Sequence, residues 1–297
     1  HVHGLFVAIG CALYSGATMC WLEKFDVEKI IANLPNCSVL MGVPTYYTRL
    51  LASSEFSEKT CANMRVFISG SAPLLEETFH EFEQLTGHKI LERYGMTETN
   101  MNTSNPISGQ RKPGTVGPPL PGVEVRVVDD NENDLGINEI GNLFIRGPNV
   151  FAGYWKMPEK TEEDFTRDGY FKTGDKAKID EDGYVSIVGR SKDMIISGGL
   201  NVYPKEVELI LDDIDGVYES AVIGVPHQDL GEAVVAVVVK NKTSSEITAQ
   251  ILIEMTKKEL AGYKVPKQII FVDALPRNTM SKVQKNVLRD THKLTFN

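Results

Sequence analysis

The sequence has no excess of positive charge, no closely spaced cysteine pair and no signal-peptide pattern. Its formal net charge of −9 argues against binding to nucleic acid. Its four cysteines all lie in the first quarter of the chain without CxxC spacing, which favours free thiols in a reducing compartment over disulfides or zinc. A GxxxxGK[ST] phosphate loop is also missing. We therefore expect a cytoplasmic protein that binds neither nucleic acid nor a membrane.

Long hydrophobic runs are scarce as well, with one exception at residues 5–22. This uncharged run approaches the length of a membrane span. Gly10 and Gly16 interrupt it, however, and no Lys/Arg cluster precedes it. We interpret the run as a buried helix and strand. A chain with 42% hydrophobic and 24% charged residues can fill a core, so its 297 residues predict one large or two medium domains.

Apolar runs alternate with helical patterns in the first third of the chain. Residues 38–44 and 64–70 predict buried parallel strands, and residues 88–95 predict a further short strand. An amphipathic helix capped by Gly87 is expected between the last two. Its predicted apolar face consists of Leu75, Phe79, Phe82 and Leu85. This alternation indicates a βαβ sheet that binds ligands at the carboxyl ends of its strands.

The pattern changes twice further along. From residue 114 short alternating strands and an Asp182-Gly183 turn predict a small antiparallel β-unit. After residue 189 three predicted helices and several apolar strands make up a compact α+β module. The predicted fold class is α/β. Residues 1–189 form a partial large domain, a βαβ sheet plus the β-unit, and residues 190–297 form a small α+β domain.

Residues 92–106, "ERYGMTETNMNTSNP", show neither a helical nor a strand period. Serine, threonine and asparagine favour turns and local backbone hydrogen bonds. We expect a loop that follows a strand end. It is either solvated or it binds a charged ligand.

Five segments occur in order along the chain: "HVHG" (1–4), "ERYGMTET" (92–99), "YFKTGD" (170–175), "GRSKDMIISGGLNVYPKEVE" (189–208) and "LPRNTMSKVQKNVLR" (275–289). Together they resemble the ANL adenylate-forming superfamily of acyl-CoA synthetases, luciferases and adenylation domains. Residues 92–106, with "GVPTYYTRL" and "NTMSKVQKNVLR", are similar to malonyl-CoA synthetases. The resemblance implies a ligase that joins malonate or methylmalonate to CoA through an acyl-adenylate. ATP and CoA are co-substrates, Mg²⁺ is the cofactor, and AMP and pyrophosphate are released.

The resemblance also assigns residues to the nucleotide. Thr97 contacts phosphate, and Glu98 ligates Mg²⁺, which prefers oxygen ligands. Tyr94 stacks on adenine, and Asp175, assisted by Arg190, accepts from the ribose hydroxyls. The base is lined by Gly70, Ser71 and Ala72.

Further roles fall on the small domain. Lys282 is the catalytic lysine, although Ser281 stands where the family usually has glycine. Lys192 matches the hinge about which the small domain turns. The pantetheine arm of CoA is expected to pass Ser197, Gly198 and Gly199.

A dicarboxylate substrate needs a partner for its second charge, because a buried unpaired carboxylate is costly. Arg49 and Arg93 are the candidates, since arginine recognises carboxylates bidentately. His3 and Met101 complete the expected pocket. Considered by itself, Arg49 is explained equally well as an arginine on the exposed surface of a helix.

The family has a Gly/Ser/Thr-rich phosphate loop upstream of "HVHG", and this chain lacks it. We therefore expect the carboxyl-terminal part of a longer protein, inactive by itself, whose partner is the missing amino-terminal half. Two alternatives stay open. One is a medium-chain or aryl acyl-CoA ligase, and the other is a non-catalytic fragment that binds nucleotide or CoA.

Overall fold

The apolar runs of the first third of the chain form a mostly parallel sheet in the computed structural model, which describes residues 2–241, 247–278 and 282–296. Its strands, in spatial order, are β1 (Val39–Gly42), β2 (Val66–Ser69), β3 (Leu91–Met96) and β4 (Asn100–Ser104). β1, β2 and β3 are parallel, and β4 pairs antiparallel with β3. The predicted βαβ sheet is confirmed.

Six α-helices lie within the described residues 9–164. They are α1 (Ile9–Tyr14), α2 (Val27–Asn33), α3 (Pro44–Leu51), α4 (Glu58–Cys61), α5 (Glu76–Thr86) and α6 (Pro158–Asp164). α5 ends at Gly87 in the left-handed conformation (φ 72°), as expected for a C-cap. It buries Phe79 and Phe82, but Leu85 is exposed and Thr86 is buried. Thr86 Oγ1 donates to Phe82 O, so a satisfied hydroxyl takes the place predicted for leucine.

The predicted antiparallel β-unit follows. Its strands are β5 (Glu124–Val128), β6 (Gly141–Arg146), β7 (Phe171–Ile179) and β8 (Val185–Arg190), paired in chain order. One face of the sheet buries Val127, Leu143, Ile145, Ala177 and Val185.

The chain divides into two compact units, His1–Ile187 (unit 1) and Val188–Asn297 (unit 2). Unit 2 contains β9 (Ile195–Ser197), β10 (Leu200–Val202), β11 (Val217–His227), β12 (Gly231–Lys240) and β13 (Gln268–Val272). The strand order is β10-β9-β12-β11, with β13 parallel to β12. Its helices are α7 (Pro204–Asp212), α8 (Ala249–Glu259) and α9 (Lys285–His292). β12 is apolar from Ala233 to Val239 because alternate residues enter separate core clusters on the two faces of the sheet.

The interpretation of residues 5–22 as buried is wrong. They form a π-helical turn, His3–Ala8, followed by α1, and residues 15–22 contain no strand. Val7 is buried, but Leu5, Phe6 and Leu13 are exposed, and Tyr14 is 97% exposed. High hydropathy makes burial of a segment favourable, but burial also needs another surface for the segment to pack against. Within the part of the chain that the structure describes, no helix is long and apolar enough to cross a membrane.

Candidate active site

Residues 92–106, expected to form a loop, form a tight β-hairpin instead. β3 and β4 pair from Arg93↔Ser104 to Met96↔Asn100, and residues 97–99 make the turn. The period-based interpretation was wrong because it treats only apolar residues as interior. Here the fully buried side chains are polar: Thr99, Asn102 and Thr103.

These buried polar groups are not all satisfied by the protein. Thr99 Oγ1, Asn102 Nδ2 and Thr103 Oγ1 have no hydrogen-bond partner among the described residues. Unpaired buried groups are rare in native proteins and indicate a place for water, an ion or a ligand. The buried part of the hairpin is therefore polar, and it lies next to the carboxyl ends of the parallel strands.

A small pocket opens beside this hairpin. It is lined by Val2, His3, Gly70, Ser71, Gly95, Asn100 and Met101. A Cβ on Gly95 would lie 1.9 Å from Asn100 O, so only glycine permits this pairing. The structure thus brings His3 and Met101, predicted for the acid, beside Gly70 and Ser71, predicted for the base. Ala72 is exposed.

Arg93 is the charged group of this region. Its Nη2 donates to His3 Nε2 (3.2 Å) and contacts Met41 Sδ (3.3 Å). Nε is buried without a hydrogen-bond partner, and among the described residues no carboxylate pairs with the guanidinium. Burial lowers the pKa of Arg93, which is the signature of a desolvated cation without a counter-charge.

His3 is held neutral beside this cation. Burial, and then the charge of Arg93, lower the pKa of His3 to about 4. Nε2 accepts from Arg93, so the Nδ1 proton points to Ser71 Oγ at 3.0 Å. Ser71 is itself in the left-handed conformation (φ 71°), a strained backbone of the kind that occurs at ligand sites. Of the contacting pair His3 and Arg93, only Arg93 therefore carries a charge.

Arg49 is not part of this cluster. It lies exposed in the last turn of α3, and its guanidinium stacks over the Phe25 ring at 5.5 Å. The structure does not bring Arg49 to Arg93, so the prediction that both arginines share one carboxylate gains no support from it.

The hairpin turn that carries Thr97 and Glu98 is clasped by the segment 149–154. Asn149 Nδ2 lies within hydrogen-bond distance of Thr99 O (2.6 Å), Met101 O and Asn102 Oδ1. Phe151 N–H donates to Glu98 O (2.8 Å). Thr97 is exposed, and Glu98 is half-buried.

Tyr154 completes this clasp, since its hydroxyl donates to Glu98 Oε1 at 3.3 Å. Burial, and then the Glu98 charge, raise the pKa of Tyr154 to about 12, so the phenol stays a donor. Glu98 is a fitting ligand for Mg²⁺, which keeps several waters and usually takes one or two carboxylates plus phosphates. Within the described ranges, no group of three or more His, Cys, Asp or Glu side chains could hold a metal ion.

Asp175 lies in a bulge of β7, opposite Leu143, where the register with β6 shifts. Gly174 has φ 71°, and Thr173 Oγ1 accepts from the Asp175 N–H (3.1 Å) while donating to Leu143 O (2.7 Å). Tyr94 OH donates to Asp175 Oδ2 at 2.5 Å. The structure therefore joins two residues predicted for the nucleotide directly.

The other predicted residues belong to unit 2. Arg190 ends β8, and Lys192 lies in a single 3₁₀ turn, Ser191–Asp193. Gly198 (φ 58°) and Gly199 (φ 78°) make the two-residue turn between β9 and β10, a type I′ geometry that by itself favours glycine. Ser197 is buried at the end of β9.

Lys282 is exposed and lies shortly before α9. Its N–H donates to Asn278 Oδ1, and Asn278 N–H donates to Lys282 O, both at 3.0 Å. Ser281 lies outside the described residues.

Sequence reasoning missed the residues that support the site. Asn105, buried at 2% exposure, donates to Thr115 O (2.8 Å) and accepts from Lys112 N–H. Asn149 and Tyr154 likewise support the site, because their side chains form hydrogen bonds with the turn at residues 97–99. Asparagine in a turn-rich segment carries no sign of burial, and the "GPN" and "GYW" stretches offered no period to interpret.

Comparison with known proteins places these features in a family. The profile of the AMP-binding enzyme family matches residues 1–155, and that of the AMP-binding enzyme C-terminal domain matches residues 206–282. A malonate–CoA ligase of Arabidopsis thaliana is 40% identical over 97% of this chain and 52% of its own length. A long-chain-fatty-acid–CoA ligase of Yersinia pestis is 37% identical over 97% of this chain and 52% of its own length. The chain spans about half the length of these relatives.

The solved structure of ATP-bound MatB from Rhodopseudomonas palustris superposes with a TM-score of 0.98. It is 56% identical and covers 100% of this chain and 59% of its own. The fold is that of ANL adenylate-forming enzymes, as the ordered motifs predicted. The match of the family profile over residues 1–155, more than half of the chain, shows that the chain belongs to the AMP-binding enzyme family.

Proposed function

We propose that this chain is part of an ATP-dependent acid–CoA ligase that activates a small dicarboxylate, malonate or methylmalonate. The acid attacks the α-phosphate of ATP to give an acyl-adenylate and pyrophosphate, and CoA then displaces AMP to form the thioester. The family membership and the relatives that are CoA ligases support the general reaction. The dicarboxylate is supported by the chemistry of the pocket.

The observation that carries this substrate is the half-buried Arg93, whose Nε is buried without a hydrogen-bond partner among the described residues. Its guanidinium has no carboxylate partner among the described residues, and its nearest polar neighbour, His3, is neutral. Desolvating a cation costs several kcal/mol, roughly, unless a counter-charge is supplied. A ligand carboxylate supplies it, and the carboxyl group of malonate that does not react is of the right size and charge. A fatty or aryl acid would leave Arg93 unpaired.

The nucleotide half of the reaction is assigned to the other residues of unit 1. Tyr94 offers its ring to adenine beside Gly70, Ser71 and Ala72, and Asp175 accepts from the ribose hydroxyls. Thr97 contacts phosphate. Glu98 holds Mg²⁺, which offsets negative charge on the phosphates when it is bound.

We assign residues 1–189 to the nucleotide- and acid-binding domain and residues 190–297 to the mobile domain. In the latter, Lys282 contacts the reacting carboxylate and phosphate, Lys192 is the hinge, and Arg190 assists at the ribose. Ser197, Gly198 and Gly199 border the pantetheine of CoA. The turn at Gly198 and Gly199 carries no side chains, so the main chain can approach a thin ligand closely.

The test uses a chimera of this chain with the part of MatB that the chain does not cover, assayed for AMP formation with malonate, butyrate and benzoate. We expect malonate to be preferred. Arg93→Leu should lower kcat/KM for malonate at least about a hundredfold, since breaking a buried ion pair costs about 3–5 kcal/mol. Butyrate turnover should hold or rise.

The matched control is Arg49→Leu, which removes an exposed arginine of the same type and should leave both activities unchanged. A parallel loss of malonate and butyrate turnover in Arg93→Leu would make Arg93 structural. Preference of the unmutated chimera for butyrate or benzoate would favour the medium-chain or aryl ligase. A folded chimera that binds AMP but turns over no acid would favour the non-catalytic alternative.

A further inference from the structure

We propose that the hydroxyl of Tyr94 positions the Asp175 carboxylate and thereby sets the selectivity of the site for ribose over deoxyribose. Tyr94 then has two separable tasks, one for its ring and one for its hydroxyl. The inference rests on the proposed function of this site as a nucleotide site. It adds a specificity-determining role to a residue expected only to stack.

The bond between the two side chains is short and shielded from water. Tyr94 OH lies 2.5 Å from Asp175 Oδ2, and Asp175 is 3% exposed. A hydroxyl that donates to a carboxylate makes a charge-assisted bond, which is shorter and stronger than a neutral one. The Tyr94 hydroxyl is also 3.7 Å from Met96 Sδ, but a thioether is a weak acceptor. The Tyr94 hydroxyl therefore donates its hydrogen bond to the Asp175 carboxylate.

The main chain around Asp175 is already fixed without Tyr94. Thr173 Oγ1 accepts from the Asp175 N–H and donates to Leu143 O, while Gly174 occupies the left-handed region. What these contacts leave undetermined is rotation of the carboxylate about its last torsion, which is broad and roughly two-fold for aspartate. Tyr94 constrains that torsion.

Tyr94 is itself well anchored. It pairs with Thr103 in the β3–β4 hairpin, and its ring packs on the core cluster of the β-unit that contains Val127 and Leu143. The hydroxyl is thus presented from a rigid position. An acceptor that is already held in its bound orientation loses less conformational freedom when the ligand binds. A larger part of the free energy of each hydrogen bond therefore contributes to the affinity.

The test measures binding of AMP, 2′-deoxyAMP and 3′-deoxyAMP to the full 297-residue chain by isothermal titration calorimetry. In the unmutated chain, loss of one ribose hydroxyl should weaken binding on the order of tenfold, the value of a hydrogen bond to a charged group. Tyr94→Phe keeps the ring, and we expect it to reduce that ratio to about threefold or less. Asp175→Asn should reduce it similarly. The double variant should show little further reduction because the two residues act as one unit.

Tyr170→Phe is the matched control. Tyr170 OH donates to Glu124 Oε2 at 2.9 Å, so the variant deletes the same kind of tyrosine–carboxylate bond at a place with no proposed ligand. Its nucleotide ratios should equal those of the unmutated chain. Melting temperatures of all variants identify loss of fold.

Each other outcome overturns the inference in a recognisable way. Weaker binding of all three nucleotides by Tyr94→Phe, at an unchanged ratio, would make the bond structural. Tighter AMP binding by Tyr94→Phe would mean that Tyr94 competes with ribose. If the unmutated chain bound AMP without ribose selectivity, the role of Asp175 would fail. If it bound none of the nucleotides, the proposed nucleotide site would fail as well.

Discussion

Asp212 should make the stability of unit 2 fall with rising pH. It is the last residue of α7, where the helix dipole disfavours a negative charge. The pKa of its carboxyl is raised from the usual 3.8 to about 7, chiefly by burial and also by the charge of Glu208 one turn earlier, while Ser220 and Lys205 act in the opposite direction. Its Oδ1 has no hydrogen-bond partner among the described residues.

The size of the effect follows from the two pKa values. A raised native pKa means that the folded state binds the proton more tightly, so this contribution to stability is complete below pH 3.8 and is lost as pH rises through about 7. At 1.36 kcal/mol per pKa unit the full loss is about 4 kcal/mol. Partial exposure of Asp212 makes that an upper bound. About 2–3 kcal/mol of it should fall between pH 5 and pH 8.

Asp212→Asn removes this ionisation while conserving shape. At pH 8, unit 2 of the variant should therefore be more stable than unit 2 of the unmutated chain. At pH 5 this difference in stability should be much smaller. Both tryptophans, Trp21 and Trp155, lie in unit 1, so tryptophan fluorescence reports the wrong unit. Hydrogen exchange of β11 and β12 amides across a urea series measures unit 2 directly.

Asp213→Asn is the control, because it alters the exposed neighbour of Asp212 at the same helix end. Its effect on stability should be the same at both pH values. Parallel pH profiles for Asp212→Asn and the unmutated chain would refute the reasoning, since they would show that Asp212 is ionised and solvated at neutral pH in the folded state.

Three further predictions concern catalysis and backbone packing. In the chimera, Lys282→Ala should abolish pyrophosphate release but spare thioester formation from supplied acyl-AMP; normal pyrophosphate release would remove Lys282 from adenylation. Lys192→Pro restricts φ near −65° and should change adenylation and thioester formation unequally, whereas equal losses would argue against a hinge at this position. Gly95→Ala places a Cβ 1.9 Å from Asn100 O and should destabilise unit 1 by about 1–3 kcal/mol or more, while Gly10→Ala, with open space around it, should not, as thermal melts can show.

Local patterns in the chain were enough to predict most of its secondary structure. Alternating apolar runs and helix patterns predicted the parallel sheet, and the Gly87 C-cap of α5 was correct to the residue. These features depend on near neighbours along the chain, such as side-chain period and glycine φ, so a window of residues contains the information. The ordered motifs likewise predicted the family.

Long-range packing determined the rest. Arg49 and Arg93 are the same residue type, yet Arg49 is exposed and stacks over Phe25, whereas Arg93 is half-buried beside His3, which is ninety positions away in the chain. The β3–β4 hairpin with its buried polar residues contacts a distant segment, since Asn149 Nδ2 lies within hydrogen-bond distance of Thr99 O and Asn102 Oδ1. The apolar residues of α1 are exposed although their hydropathy predicts burial. Burial and charge pairing depend on which surfaces meet, and residues far apart in sequence decide that.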